Sequence, residues 1–327
     1  MKTLKRPMYN EDQKMAFIQE TIVAETTRAA ARNVFEIIAP YEEKADSDIA
    51  NWSVEELTPV LDGICGTRSR GRYSRISIIT NYRTWCVEKQ IDGAIDERPD
   101  MGKLGYDSMK ALLVRNPAHL QQCLDLVFDP EDDETQDNIY RCFFWLAYGG
   151  MEEGTIHQLK TTDVSLETME ASYGDEVAVL YRQSLKAVRN CVRLTSFLYR
   201  NTSYANKQAI RRDRVPGDML MRGIRGTPSV ANFRAQLSRV LKKSKADADA
   251  AKTLTYTRVW LSGVFYRIYE GEQAGIAPDF IKIAMASPAG KKVLAGESKV
   301  SKETALRAIA KDFRTDYNRW KLIIKSI

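Results

Sequence analysis

Apolar residues recur at helical spacing over much of the chain. In QKMAFIQETIVAETTRAAARNVFEIIAPYEEK they fall at Phe17, Ile18, Ile22 and Val23, then at Val34, Phe35, Ile37 and Ile38. Pro40 is expected to stop this helix, because its ring removes a donor and clashes with the preceding turn. Ser53-Val-Glu-Glu56 reads as a capping box opening a second helix. Thr67 to Ser74 reads as a basic turn. A further helix follows from Ser74 to Cys86, apolar at Ile76, Ile79, Tyr82 and Cys86. Residues 10–95 therefore predict a small bundle of about four helices. The next stretch, IDGAIDERPDMGKLGYD, holds three glycines, a proline and many charges, the composition of a boundary.

Beyond it the pattern is again mostly helical. Thr135–Tyr148 predicts a buried helix, with a short one at Thr155–Leu159. Glu176–Arg182 and Val188–Leu194 read as two strands about a turn at Ser184–Lys186. A loop with Gly217, Gly223 and Gly226 follows. Thr227-Pro-Ser then opens a helix through Leu241, with proline at a favoured early position. Thr255–Glu270 and Lys302–Ile324 complete the helices. The expected division is a helical domain at residues 1–92, a linker at 93–108 and a larger domain at 109–327.

Composition narrows the class. The chain has 327 residues, 44% hydrophobic and 28% charged, which fits a globular protein with room for two cores. No window approaches the roughly 18 uninterrupted apolar residues of a membrane span. The N-terminus has basic residues but no apolar core of a signal peptide, so a cytoplasmic place is expected. Five scattered cysteines with no CxxC pair read as free thiols, and two histidines give little for a metal site; no metal or cofactor is expected.

Charge changes the picture most. Asp129 to Glu176 holds 13 acids against 2 bases, whereas Arg182 to Lys245 holds 16 bases against 2 acids. Such a block predicts a polyanionic partner, with double-stranded DNA first among them. The bases expected to contact it are Arg182, Lys186, Arg189, Arg193, Arg211, Arg212, Arg214, Arg222 and Arg225 on a hairpin and loop. Arg234, Arg239, Lys242 and Lys243 on the next helix join them, and Arg68, Arg70, Arg72 and Arg75 form a second patch in the first domain. Asn206, Gln208, Asn232 and Gln236 are candidates for base contacts, since such amides pair bidentately with adenine.

The order of elements resembles the tyrosine recombinases, the phage integrase family. The segments VFEIIAPYEEKADSDIANWSVEEL and SIITNYRTWCVEK look like the SAM-like core-binding domain of that family. Its first catalytic box is a glycine turn and short helix, roughly G-x-R-x-x-E-x-x-x-L-x-x-x-D. Here Gly150, Leu159 and Asp163 follow that box, while Glu152 occupies the arginine position and Thr155 the glutamate position. The second box, H-x-x-R, resembles Thr255-Tyr-Thr-Arg258, with the arginine kept and threonine for histidine. The family's hairpin lysine matches Lys186 loosely, and Tyr317 sits near where the nucleophile would be. The resemblance implies a mainly α fold with a small β-sheet. It also implies a two-domain clamp of a core-binding domain and an integrase catalytic-type domain.

In that chemistry a tyrosine hydroxyl attacks a phosphodiester while arginines and a histidine neutralise the transition state and a lysine protonates the leaving oxygen. A carboxylate in an arginine slot reverses a key interaction. Two unit charges about 4 Å apart interact by about 4 kcal/mol at an effective dielectric of about 20. At about tenfold per 1.4 kcal/mol, the reversal costs several powers of ten in rate. Arg258 then has three readings: catalytic remnant, phosphate contact or structural ion-pair partner. Tyr317 has two, a packing aromatic beside Trp320 or a nucleophile.

The expected function is sequence-specific duplex binding without catalysis. The chain resembles the integrase-like lysogeny repressors of SPβ-type prophages, which implies a transcriptional repressor at phage promoters. It also leaves room for self-association on DNA and for a phage antirepressor as partner. The alternative is an active site-specific recombinase using Arg258 and Tyr317, and a weaker third is an accessory protein of a true integrase.

Overall fold

Phe17, Phe35 and Tyr82 come from three separate helices, and in the computed structural model they meet edge to face. Phe17 lies 5.4 Å and Phe35 5.1 Å from the Tyr82 ring. The structure describes residues 7–64, 69–99, 104, 106–128, 134–200, 209–243, 248–297 and 300–325. It divides into two compact units, Met1–Lys110 with Arg307–Ile323, and Ala111–Leu306 with Ile324–Ile327.

The first unit is built on α1 (Glu11–Thr21), α2 (Glu25–Ala45), α3 (Val54–Ile64) and α4 (Ser69–Glu88). Their apolar faces bury Ile18, Val34, Ile38, Leu57, Leu61, Ile76 and Ile79 around the aromatic cluster. The predicted capping box forms: Ser53 N–H donates to Glu56 Oε2 at 2.9 Å, and Glu56 N–H to Ser53 Oγ at 3.3 Å. Two expectations fail. The long first helix breaks at Ile22–Ala24, and Pro40 lies inside α2 instead of ending it. A mid-helix proline forfeits one backbone bond, and here the next turn is anchored from outside: Glu42 Oε1 accepts the Ile49 N–H at 2.8 Å and the Lys14 ammonium at 2.8 Å. The helix ends at Asp46 in the left-handed region. Residues 95–97 are held to the same unit, with Ile95 N–H on Ala50 O (2.9 Å) and Val54 N–H on Glu97 Oε2 (3.1 Å).

Lys14 is fully buried. Its ammonium pairs with Glu42 and, at 3.1 Å, with Asp48, inside a ring of Tyr9, Phe35 and Tyr82. Two carboxylates for one ammonium leave a buried excess of negative charge, and burial above all lifts Glu42 to about 7.

After α5 (Tyr106–Leu112), the second unit is organised by α6 (Pro117–Val127) and the buried α7 (Asp137–Gly149). The short α8 (Glu153–Ile156) leads to β1 (Val164–Ser165), β2 (Glu170–Tyr173) and β3 (Glu176–Val179), an antiparallel sheet in that order. Then come α9 (Leu185–Arg193) and a two-stranded sheet of β4 (Ser196–Arg200) and β5 (Ala209–Asp213). Helices α10 (Val230–Lys243), α11 (Ala248–Thr253), α12 (Tyr256–Gln273), α13 (Phe280–Ala286) and α14 (Pro288–Leu294) follow. Helix α15 (Lys302–Lys325) closes the chain, its middle counted with the first unit.

Helix α12 crosses α7 at a distance only glycine allows: a methyl on Gly263 would run into the Tyr148 carbonyl oxygen. The expected strand at Val188–Leu194 is helix α9 instead. Ala187, Val188 and Cys191 form its buried face at a spacing of three to four, and the true partner of β3 is β2. No helix among the described residues is long and apolar enough to cross a membrane.

Candidate nucleic-acid interface

Helix α7 ends at Gly150, whose φ of 110° is the left-handed turn that favours glycine. The turn carries the chain past Met151, buried against α12, and delivers Glu152 half-buried at the start of α8. The glycine pair is held by α12: Trp260 Nε1 donates to Gly150 O at 3.0 Å, and Tyr256 OH to Met151 O at 3.3 Å. The two boxes found in the sequence are therefore brought together by direct hydrogen bonds.

What they bring together is a charge network of two carboxylates about one ammonium. Glu152 Oε2 accepts from Lys291 Nζ at 2.6 Å. Lys291, from α14, also pairs with Glu176 on β3, whose other oxygen accepts the Glu152 backbone N–H at 2.9 Å. Burial pulls Lys291 down, but its bonds to Glu152 and Glu176 outweigh this and hold the ammonium above its ordinary value. Burial likewise pushes Glu176 up, and Lys291 with the Glu152 N–H prevails, keeping the carboxyl low. Next to this triad the buried Glu153 is gripped bidentately by Arg234 of α10, with Nε to Oε1 at 2.6 Å. That bond raises Arg234.

The other positions singled out in the sequence have specific places. Thr255 is the N-cap of α12, its hydroxyl accepting the Arg258 N–H at 3.4 Å. Arg258 is half-buried in the first turn, donates to Lys252 O, and is lowered by burial. Tyr317 lies in α15, within the first unit. It is 1% exposed and stacks on Trp320 at 6.1 Å, so its hydroxyl is not presented at a surface. The β2–β3 hairpin has no lysine, and Lys186 stands on α9.

The basic residues divide sharply. Arg214, expected on an exposed loop, is a core residue at 4% exposure. Its guanidinium donates to the carbonyls of Cys191, Leu194, Leu220 and Arg222 and stacks over Phe197 at 4.8 Å. It ties the end of α9 to the chain after β5 and is not available to a ligand. Arg222 is half-buried on Met219 O at 2.9 Å, and exposed Arg211 pairs with Glu134. Arg212 on β5 and Arg225 are exposed. Arg182, Lys186, Arg189 and Arg193, expected on a hairpin, form one exposed stripe along the turn at 182–184 and α9. In the first unit Arg70, Arg72 and Arg75 lie on α4, not in a turn, and Arg75 donates to Ile64 O. Arg68, Asn206 and Gln208 lie outside the described residues. Asn232 is exposed on α10 and Gln236 half-buried.

His157 is one of the chain's two histidines. It is 7% exposed, between Phe143 and Phe233, and burial lowers it. Sequence reasoning missed Lys14 and Lys291. No signal near either residue marks it, because each acts on carboxylates far along the chain. Among the described residues no group of three or more histidine, cysteine, aspartate or glutamate side chains could hold a metal ion.

Comparison with known proteins adds the following. Residues 8–88 match the family model of the N-terminal core-binding domain of MrpR. No curated protein matches the chain. Among solved structures, the XerA recombinase is similar at 11% identity and a TM-score of 0.38, over 94% of this chain and 99% of that one. Residues 8–88, within the first unit, are thus similar to the N-terminal core-binding domain of MrpR.

Proposed function

We propose that this chain binds double-stranded DNA as a regulator on a recombinase-like scaffold that has lost strand-transfer chemistry. The observation that carries this reading is Glu152. It stands where the family places a phosphate-binding arginine, and it is tied to Lys291 with Glu176 at its back. Two carboxylates and one ammonium repel a phosphodiester where catalysis would need to attract one. Thr255 in place of histidine, a hairpin without lysine and the buried Tyr317 point the same way. Arg258 then serves as a phosphate contact at a helix N-terminus.

The bases that contact DNA in this reading are Arg68, Arg70 and Arg72 in the first unit and, separately, Arg212, Arg222, Arg225 and Arg258 in the second. Phosphate contacts of this kind make affinity fall steeply with salt. The regulator acts as a repressor at phage promoters that maintains lysogeny, in the bacterial cytoplasm with the nucleoid, and is relieved by a phage-encoded antirepressor. Genome-wide occupancy in a host carrying the prophage tests it. Sites clustered at promoters, with transcription rising on deletion, are expected; occupancy at one attachment-like locus alone would sink the repressor role.

A further inference from the structure

The second unit carries two charged faces of opposite sign, one directly after the other in the chain. The first is the outward side of the β1–β3 sheet. Thr161 to Tyr181 contains Asp163, Glu167, Glu170, Asp175 and Glu176 and no lysine or arginine. Asp163 is used in its own turn and Glu176 by Lys291. Glu167, Glu170 and Asp175 are exposed and have no ion pair among the described residues. Glu170 lies opposite Val179 and Ser172 opposite Val177, so one sheet face presents two valines, 39% and 48% exposed, edged by carboxylates.

The second face is the stripe of Arg182, Lys186, Arg189 and Arg193. Their spacing of four, three and four puts them on one side of a helix over about 16 Å. The opposite side buries Ala187, Val188 and Cys191 against the core, and Arg182 to Arg193 contains no acid. Arg182, Arg189 and Arg193 have no ion pair among the described residues.

We infer that the α9 stripe docks on the β1–β3 sheet face of a second copy of this chain. Charge complementarity selects the occupant, since the same molecule supplies both the acids and the apolar strip that the stripe needs. The aliphatic stems of arginine and lysine cover valines while their heads reach the carboxylates around them. A duplex would engage the stripe but would leave the sheet face uncovered and be repelled by it. The contact joins unlike faces, so it closes a two-fold dimer by forming twice, or propagates from copy to copy. The inference goes beyond DNA binding and does not depend on it.

The test is sedimentation of the full chain without DNA, over a range of protein concentration at low salt. The weight-average mass is expected to rise above the 37.2 kDa monomer and to return to it at about 1 M salt, where the screening length is about 3 Å. The double variants Arg189→Glu with Arg193→Glu, and Glu167→Lys with Glu170→Lys, are each expected to stay monomeric with unchanged thermal melts. An equal mixture of the two is expected to associate again, which a folding defect could not produce. A wild type that stays monomeric at low salt, or a mixture that fails to recover, overturns the inference. So does an arginine variant that keeps the wild-type mass but loses duplex binding, because the stripe is then a phosphate contact.

Discussion

Two triads of one lysine and two carboxylates stand among the described residues, and their surroundings differ completely. Lys14, Glu42 and Asp48 are at most 4% exposed, in the core of the first unit. Lys291, Glu152 and Glu176 are 25–40% exposed, at the turn between α7 and α8 of the second. A buried triad must be satisfied almost atom by atom, and this one recruits the Tyr9 carbonyl, the Ile49 and Ala50 N–H groups and the Tyr82 hydroxyl. The half-exposed triad shares its charge with water, which screens it, so it adds little to stability and acts mainly through its sign. One lysine with two carboxylates serves folding in the first unit, while in the proposed function the same charge count at the α7–α8 turn serves to turn a phosphate away.

The sharpest way to break this contrast is to remove each lysine. Lys14→Met leaves two buried carboxylates unpaired and is expected to destabilise the first unit by about 3–5 kcal/mol, read by chemical denaturation. A loss below about 1 kcal/mol would mean the first triad is no more demanding than the second.

Next comes pH. Glu42, raised from 4.5 to about 7, binds its proton more tightly in the folded state. Its contribution is therefore fully present below the unfolded value and is lost as pH rises through about 7. The loss amounts to about 3 kcal/mol. Denaturation midpoints in Glu42→Gln should lose this component of the pH slope; an unchanged slope would assign it to another group.

Glu153 is the intermediate case, a carboxylate 5% exposed whose partner Arg234 is 66% exposed. Arg234→Ala leaves the carboxylate buried and is expected to cost about 1–3 kcal/mol. The smallest effect is Lys291→Ala, expected within about 1 kcal/mol in the same assay. A larger loss there would show that the triad at the box also holds the fold.

Local patterns made much of the fold legible. The Ser53–Glu56 box, the apolar run of α7 and the Thr255 cap are signals carried within a few residues. Features that depend on distant partners were not legible. Pro40 stays in a helix because Lys14 and Ile49 hold Glu42. Arg214 looks like a surface base until four carbonyls from separate segments converge on it. Val188–Leu194 carries enough β-branched and apolar residues to pass for a strand, but its apolar positions do not alternate, and the packing of Ala187, Val188 and Cys191 on one side identifies the helix. At the candidate site the sequence shows Glu152 directly after its glycine turn, and the structure keeps it there as the N-cap of α8. Its counter-ion was not legible, since Lys291 lies 139 residues away.

The central claim is that the box built around Glu152 no longer transfers DNA strands. A nicked duplex that prevents religation, carrying the sites the protein occupies, tests this most directly, with covalent adduct measured on a denaturing gel. The account predicts retention under native conditions and no covalent product, for the wild type and Tyr317→Phe alike. Adduct formed by the wild type and abolished in Tyr317→Phe would contradict it.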